Sequence, residues 1–249
     1  MYSFAQTNIQ LFNQMYDLGY DEQEIAAVKK SYELAMTLFT GRFRGSGKTF
    51  IAHLVGTASI LTSVRSAPRI IAAGLLHAAY DSGDFGDNKQ GLSSAKQDYV
   101  TAAVGPEVEE YVARYNELRW NHQVAQSICV QLDSLSQLER DVVLIRLANE
   151  LEDYLDLGIL FCGVKKRDQA GYFNSGENIL WNIAQKLGFP ELAEVWKSEF
   201  EKTAIASEQP RFESIGSRDF SFLAPPLSYK RLMDILAKRL NEIPNRRKD

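Results

Sequence analysis

The sequence predicts an all-α protein, and three observations carry that expectation. Nearly every periodic segment repeats its apolar residues at the helical spacing of three and four. The one β-branched run, Arg140–Ile145, sits inside a longer pattern of the same helical period. Apolar residues make up 45% of the 249 and charged residues 24%, so the chain can bury a core large enough to hold such helices together.

The elements follow in order. Asp21-Glu22-Gln23-Glu24 places acids on a first turn, and Ile25, Val28, Tyr32, Ala35, Met36 and Phe39 share the face behind it. A glycine-rich break, Gly41 to Gly47, ends that helix, and Phe50–Val64 begins another. Ala67-Pro68 opens the next, because proline suits a first turn. Its body, Arg69–Tyr80, is apolar nearly all round and belongs in the middle of the core. Asp81–Ser94 is small, polar and glycine-rich, and reads as a loop. Further helices are expected over Ser93–Ala103, Pro106–Arg119, His122–Leu132 and Ser136–Leu160, the last starting with the capping box Ser136-Gln137-Leu138-Glu139. Beyond Gly163 helices are expected at Gly176–Leu187, Pro190–Ile205 and Ser228–Asn241, with a connecting loop at Ser207–Pro226. The expected organisation is one helical domain over residues 1–163 and a helical extension over 164–249 that packs on it.

Composition excludes several classes. Lys+Arg 28 against Asp+Glu 32, net −4, is too balanced for a general nucleic-acid binder. Two cysteines, Cys129 and Cys162, make neither a disulfide framework nor a thiolate zinc site. The longest apolar stretch is roughly half of what a bilayer span needs, and the amino terminus lacks the basic and apolar regions of a signal peptide. The expectation is a cytoplasmic protein with a small-molecule partner, without nucleic acid or membrane, and with a homodimer left open.

Gly41-Arg42-Phe43-Arg44-Gly45-Ser46-Gly47-Lys48-Thr49 resembles a phosphate-cradling P-loop but fails its test. Five residues separate the first glycine from Gly-Lys-Thr where four are needed, and a helix pattern precedes the loop where a buried strand should. A glycine-rich connection with cationic side chains is the simpler reading.

Three histidines remain: His53, His77 and His122. His53 and His77 each lie in an apolar helix, where a single histidine is usually a hydrogen-bonded core residue. Two of them on two core helices make a shared site more plausible. His77 and Asp81 are four apart and share a face, as do Asn149 and Asp153.

An ordered set of motifs then points to a family. Arg44-x-Ser46-Gly47-x-x-Phe50-Ile51-x-His53, Ala72-Ala73-Gly74-Leu75-Leu76-His77, Gly105-Pro106-Glu107-Val108 and Ile145-Arg146-Leu147-Ala148-Asn149 resemble the hydrolase domain of the Rel/Spo guanosine tetraphosphate enzymes. That domain belongs to the HD superfamily of metal-dependent phosphohydrolases. The resemblance spans about Ser31–Leu160 and implies an HD-type helical bundle. It also implies a divalent ion held at the positions of His53, His77, Ala78 and Asn149, where the family has a His, a His-Asp pair and a distant Asp. Both histidines are present and both carboxylates are missing. Of the acidic pair that follows the second histidine, only Asp81 matches.

Mn²⁺ and Mg²⁺ want anionic oxygens, so a methyl group and a neutral amide at two ligand positions leave at most a weakly held metal. Asp81, Asp153 or His122 could serve as replacement ligands. The run Asn149-Glu150-Leu151-Glu152-Asp153-Tyr154-Leu155-Asp156 is acidic where the family is basic and polar, which speaks against guanosine tetraphosphate. Most such runs are solvated faces. Arg42, Arg44 and Lys48 could hold one anionic group, and Tyr80, Phe85, Tyr115 and Trp120 could line a pocket, although core packing is the commoner role at this spacing.

Two functions stay open. One is a divergent HD-type protein with an altered metal site that binds a small ligand, phosphorylated or nucleotide-like among the candidates, through Arg44, Lys48, Tyr80, Asn149 and Asp153. The other is a phosphohydrolase-like or lyase-like enzyme in which Asp81 activates water and His77 acts as ligand or acid/base, with a rebuilt metal at His53 and His77 or none.

Overall fold

Helix signals at the chain's own level explain where its elements begin. The computed structural model describes residues 4–44, 46–87, 89–161 and 179–207, which are 77% helical with no strand among the described residues. Thr7 caps α1 (Asn8–Asp17) and Asp21 caps α2 (Glu22–Phe39), each with a reciprocal capping box to Gln10 and Glu24. Thr49 caps α3 (Phe50–Ser63), and proline opens α4 (Pro68–Leu76). A single turn, α5 (Ala79–Ser82), follows. Then come α6 (Ser94–Val104), α7 (Pro106–Glu117) and α8 (His122–Gln131). The Ser136–Glu139 box starts α9 (Gln137–Tyr154), and a 3-10 segment, Leu155–Phe161, follows across a kink at Asp156 and Leu157. The chain is described again as α10 (Ile179–Lys186) and α11 (Pro190–Ser207).

The core is built on α3, α4 and α9. α3 packs between α1, α4 and α9, and α4 also meets α2 and α7. These helices touch closely because small residues line the contact. A Cβ on Gly74 would sit 2.5 Å from Leu61 Cδ1, so α4 rests on α3 closely enough that any larger residue there pushes the Leu61 methyl aside. Buried hydroxyls in α3 are satisfied locally, Thr57 Oγ1 donating to the His53 carbonyl and Thr62 Oγ1 to that of Ala58. Ser59 accepts from the Ala5 amide and donates to Gln14, which ties the amino-terminal segment to the core. None of the described helices is long and apolar enough to cross a membrane.

Several expectations shift. α1 lies outside the expected helices, although Thr7-Asn8-Ile9-Gln10 spells its capping box, and Leu11 and Met15 are its buried residues. The apolar helix expected over Arg69–Tyr80 breaks after Leu76, and His77 and Ala78 form a joint before α5. α9 ends at Tyr154 instead of Leu160, because Asp156 and Leu157 adopt left-handed backbone (φ 54° and 61°). α10 packs on α8, and α11 packs on α9 and the 3-10 segment, with Trp196 fully buried 5.3 Å from the Tyr154 ring. The boundary at Gly163, Cys162, the start at Gly176, the Ser207–Pro226 loop beyond Ser207 and the helix at Ser228–Asn241 lie outside the described residues.

Candidate functional site

The three core helices bring the histidines and the α9 polar residues to one place. His53 comes from the first turn of α3, His77 from the joint after α4, and Asn149, Glu150, Glu152 and Asp153 from the last half of α9. The His53 and His77 ring centroids are 5.3 Å apart, and the Tyr115 ring of α7 lies 5.0 Å from His77. His77 lines a cavity of about 290 Å³ together with Ala78, Asp81, Tyr115, Asn149 and Asp153. Arg44, Trp120, Arg146 and Glu150 also stand in its wall.

Hydrogen bonding sets what each group can offer. His77 Nδ1 donates to the Gly74 carbonyl at 2.8 Å, which leaves Nε2 as the acceptor edge of the ring. Burial, and then the neighbouring His53, hold His77 well below its usual pKa, so it is neutral. Asn149 is 5% exposed, and its Oδ1 has no hydrogen-bond partner. Asp81 is exposed at the cavity mouth. His77 Nε2, Asn149 Oδ1 and the Asp81 carboxylate therefore present acceptors to the same space.

The cations around the cavity are engaged by acids. Arg44 meets Asp153 at 2.5 Å, and Arg146 meets Glu150 at 2.5 Å while donating to the Tyr115 hydroxyl at 3.0 Å. The Arg146 guanidinium lies 5.5 Å from both the Tyr115 and the Trp120 ring centroids. Lys48 Nζ bonds one oxygen of Glu152, and the other oxygen meets His53 Nδ1. The loop before α3 aims Lys48 inward. Arg44 N donates to the Lys48 carbonyl at 2.7 Å, Gly47 N to the Arg44 carbonyl at 2.9 Å, and an isolated bridge joins Phe43 to Thr49. Those amides serve the loop itself, unlike the amides of a phosphate cradle.

Glu152 is the residue that sequence reasoning missed. It is 2% exposed inside a run that reads as a solvated acidic face. Burial pushes its carboxyl up to about 8, with Lys48 pulling the other way. The available signal was spacing, since Glu152 follows Asn149 by three and shares its side of α9. Arg146 was likewise overlooked, although it stands in the last motif of the family pattern.

Other expected site residues lie elsewhere. Tyr80 does not line the cavity. Its hydroxyl donates to Glu109 on α7, and its ring stacks on Phe85. Lys48 and His53 sit behind the wall, bonded to Glu152. His122 meets Gln126 on its own helix and is not part of the cavity wall.

The metal implied by the resemblance does not fit these residues well. Ala78 offers no ligand atom and Asn149 offers a neutral one. His53, Glu152 and Asp153 do bring ligand atoms within 4.8 Å of one another, but both acids already hold cations of the chain. A family model described as a domain of unknown function, DUF6817, matches residues 36–119. That stretch runs from the end of α2 into the residues after α7. It includes Arg44, Lys48, His53 and His77 and stops before α9.

Proposed function

We propose that this is a divergent HD-type protein whose metal site is altered and whose cavity binds a small polar molecule. The observation that carries the reading is the division of labour among the polar groups. The acids nearest His53 are bonded to Lys48 and Arg44, while His77 Nε2, Asn149 Oδ1 and Asp81 present acceptors to the cavity. A buried acceptor without a donor is costly, and Asn149 Oδ1 is one, so a ligand that donates hydrogen bonds is stabilised there. Hydroxyl or amine groups on a sugar-like or nucleoside-like body meet that need, and Tyr115 and Trp120 offer apolar area. A phosphate on such a ligand has to compete with Asp153 for Arg44 or with Glu150 for Arg146.

Thermal-shift screening of nucleosides, sugars and their phosphates, followed by calorimetry, tests this reading. The expected hit loses about 1–3 kcal/mol of binding in Asn149→Leu, as for a lost buried hydrogen bond. Binding that is indifferent to Asn149 and Asp81 would place the ligand elsewhere and sink the proposal.

The enzyme reading keeps one supporting observation: neutral His77 and exposed Asp81 line the same cavity, as an acid/base pair must. Elemental analysis of untagged protein separates the two. Near-stoichiometric metal favours the enzyme, and its absence together with a ligand hit favours the binding protein.

A further inference from the structure

We infer that the chain supplies its own cations beside the position implied for the metal: the Lys48 ammonium and the Arg44 guanidinium serve a second ligand set, His53, Glu152 and Asp153, which shares only His53 with the implied one, in place of a divalent ion. The inference rests on the altered-site reading above and adds to it a mechanism of replacement.

Geometry carries it. Glu152 bridges, with one oxygen on Lys48 Nζ and the other on His53 Nδ1, and Asp153 holds Arg44 one residue further along α9. The ligand atoms of the three residues lie within 4.8 Å of one another, near enough for small side-chain shifts to bring them onto a single ion. Lys48 and Arg44 together bring the two positive charges that a divalent ion would bring. The Glu152 side chain is 1% exposed, and at that depth it can ionise only with a cation beside it. The local fold is arranged for this contact. The Arg44–Lys48 backbone bond closes the loop, and Thr49 caps α3, so Lys48 is anchored directly ahead of the helix that carries His53. Gly56 on the same helix leaves room for Glu152, whose Cγ and Oε1 would lie 2.8 Å from a Cβ there.

The consequence is a latent metal site. With Lys48 removed, Glu152 has lost its cation, and His53, Glu152 and an Asp153 carboxylate still shared with Arg44 form a nitrogen and oxygen set suited to Zn²⁺ or Co²⁺. The test is titration of the full chain with Co²⁺, read by calorimetry and by visible d–d absorption, which reports protein ligands on the ion. Wild type is expected to show no specific Co²⁺ site. Lys48→Ala and Lys48→Met, the second keeping the apolar stem, should each bind one equivalent. Their affinity should exceed that of wild type by roughly a hundredfold, the order of a charged hydrogen bond that no longer competes. Adding Glu152→Gln should abolish the gain.

Each other outcome overturns the inference. If folded Lys48→Met binds no Co²⁺, or binds it independently of Glu152, the lysine does not stand in for an ion, and the ligand-binding reading of the cavity is untouched. If wild type binds Co²⁺ as tightly as the variants, the altered-site reading falls as well. Should Lys48→Ala not fold, Lys48→Met decides alone. Should neither fold, failure of Co²⁺ to restore their fold also overturns it, because a filled site would stabilise the native state.

Discussion

At the scale of single residues, two buried titrating groups pull stability in opposite directions with pH. Glu152 is raised from 4.5 to about 8, so between those values the native state holds a proton that the unfolded state has lost. Its contribution is fully present below pH 4.5 and is lost as pH rises through about 8. His77 is held well below 6.5, so the unfolded state takes up its proton first, and the contribution is lost as pH falls below 6.5. Between 4.5 and 6.5 the two slopes offset, and above 6.5 only the decline from Glu152 remains. Glu152→Gln should therefore uncover a stability that rises up to about pH 6.5 and then levels, with a slope of at most ~1.4 kcal/mol per pH unit. Urea denaturation over pH 5–9 reads it, and an unchanged profile would remove Glu152 from the account. Gly56 is the matching steric test. Gly56→Ala should cost about 1–3 kcal/mol despite the better helix propensity of alanine, because Glu152 is tied at both oxygens and cannot yield. Gly56→Ala with Glu152→Ala should recover part of that loss, and a strictly additive double variant would contradict the contact.

At the scale of elements, the legible parts were those with a local chemical cause. The capping boxes at Asp21 and Ser136 and the proline of α4 mark helix starts in sequence and in structure. The joint at His77 was not legible, because residues 69–80 are apolar on every side and periodicity has no phase to lose there. The burial of Glu152 was equally hidden, since a run of acids reads as solvated until the cations that meet it, over a hundred residues earlier, are placed opposite. The end of α9 depends on two left-handed residues whose types do not announce them. Asp156 is exposed and pays for that backbone without packing in return. Asp156→Gly should raise stability by about 0.5–1 kcal/mol, the left-handed cost less the extra chain entropy of glycine. A destabilised variant in urea would show that the Asp156 side chain makes up for its conformation.

At the scale of the whole molecule, the carboxy-terminal helices bear on the site from behind. α11 sets Trp196 against Tyr154, one residue after Asp153 and two after Glu152. Removing that ring should cost about 3–5 kcal/mol, as for other large aromatic truncations, and it should loosen the last turn of α9. Hydrogen exchange of residues 150–154 in Trp196→Ala checks the second part. Protection unchanged there would mean that α11 braces the fold without bracing the site.

The guanidinium held between Tyr115 and Trp120 has a consequence for light. Of the three tryptophans, Trp196 is sealed in the core, and Trp120 stands in the cavity wall with a charge near its face. An indole in that setting emits according to the field and the water around it. A molecule that enters the cavity changes both, so the emission colour of Trp120 becomes an optical gauge of occupancy that needs no label.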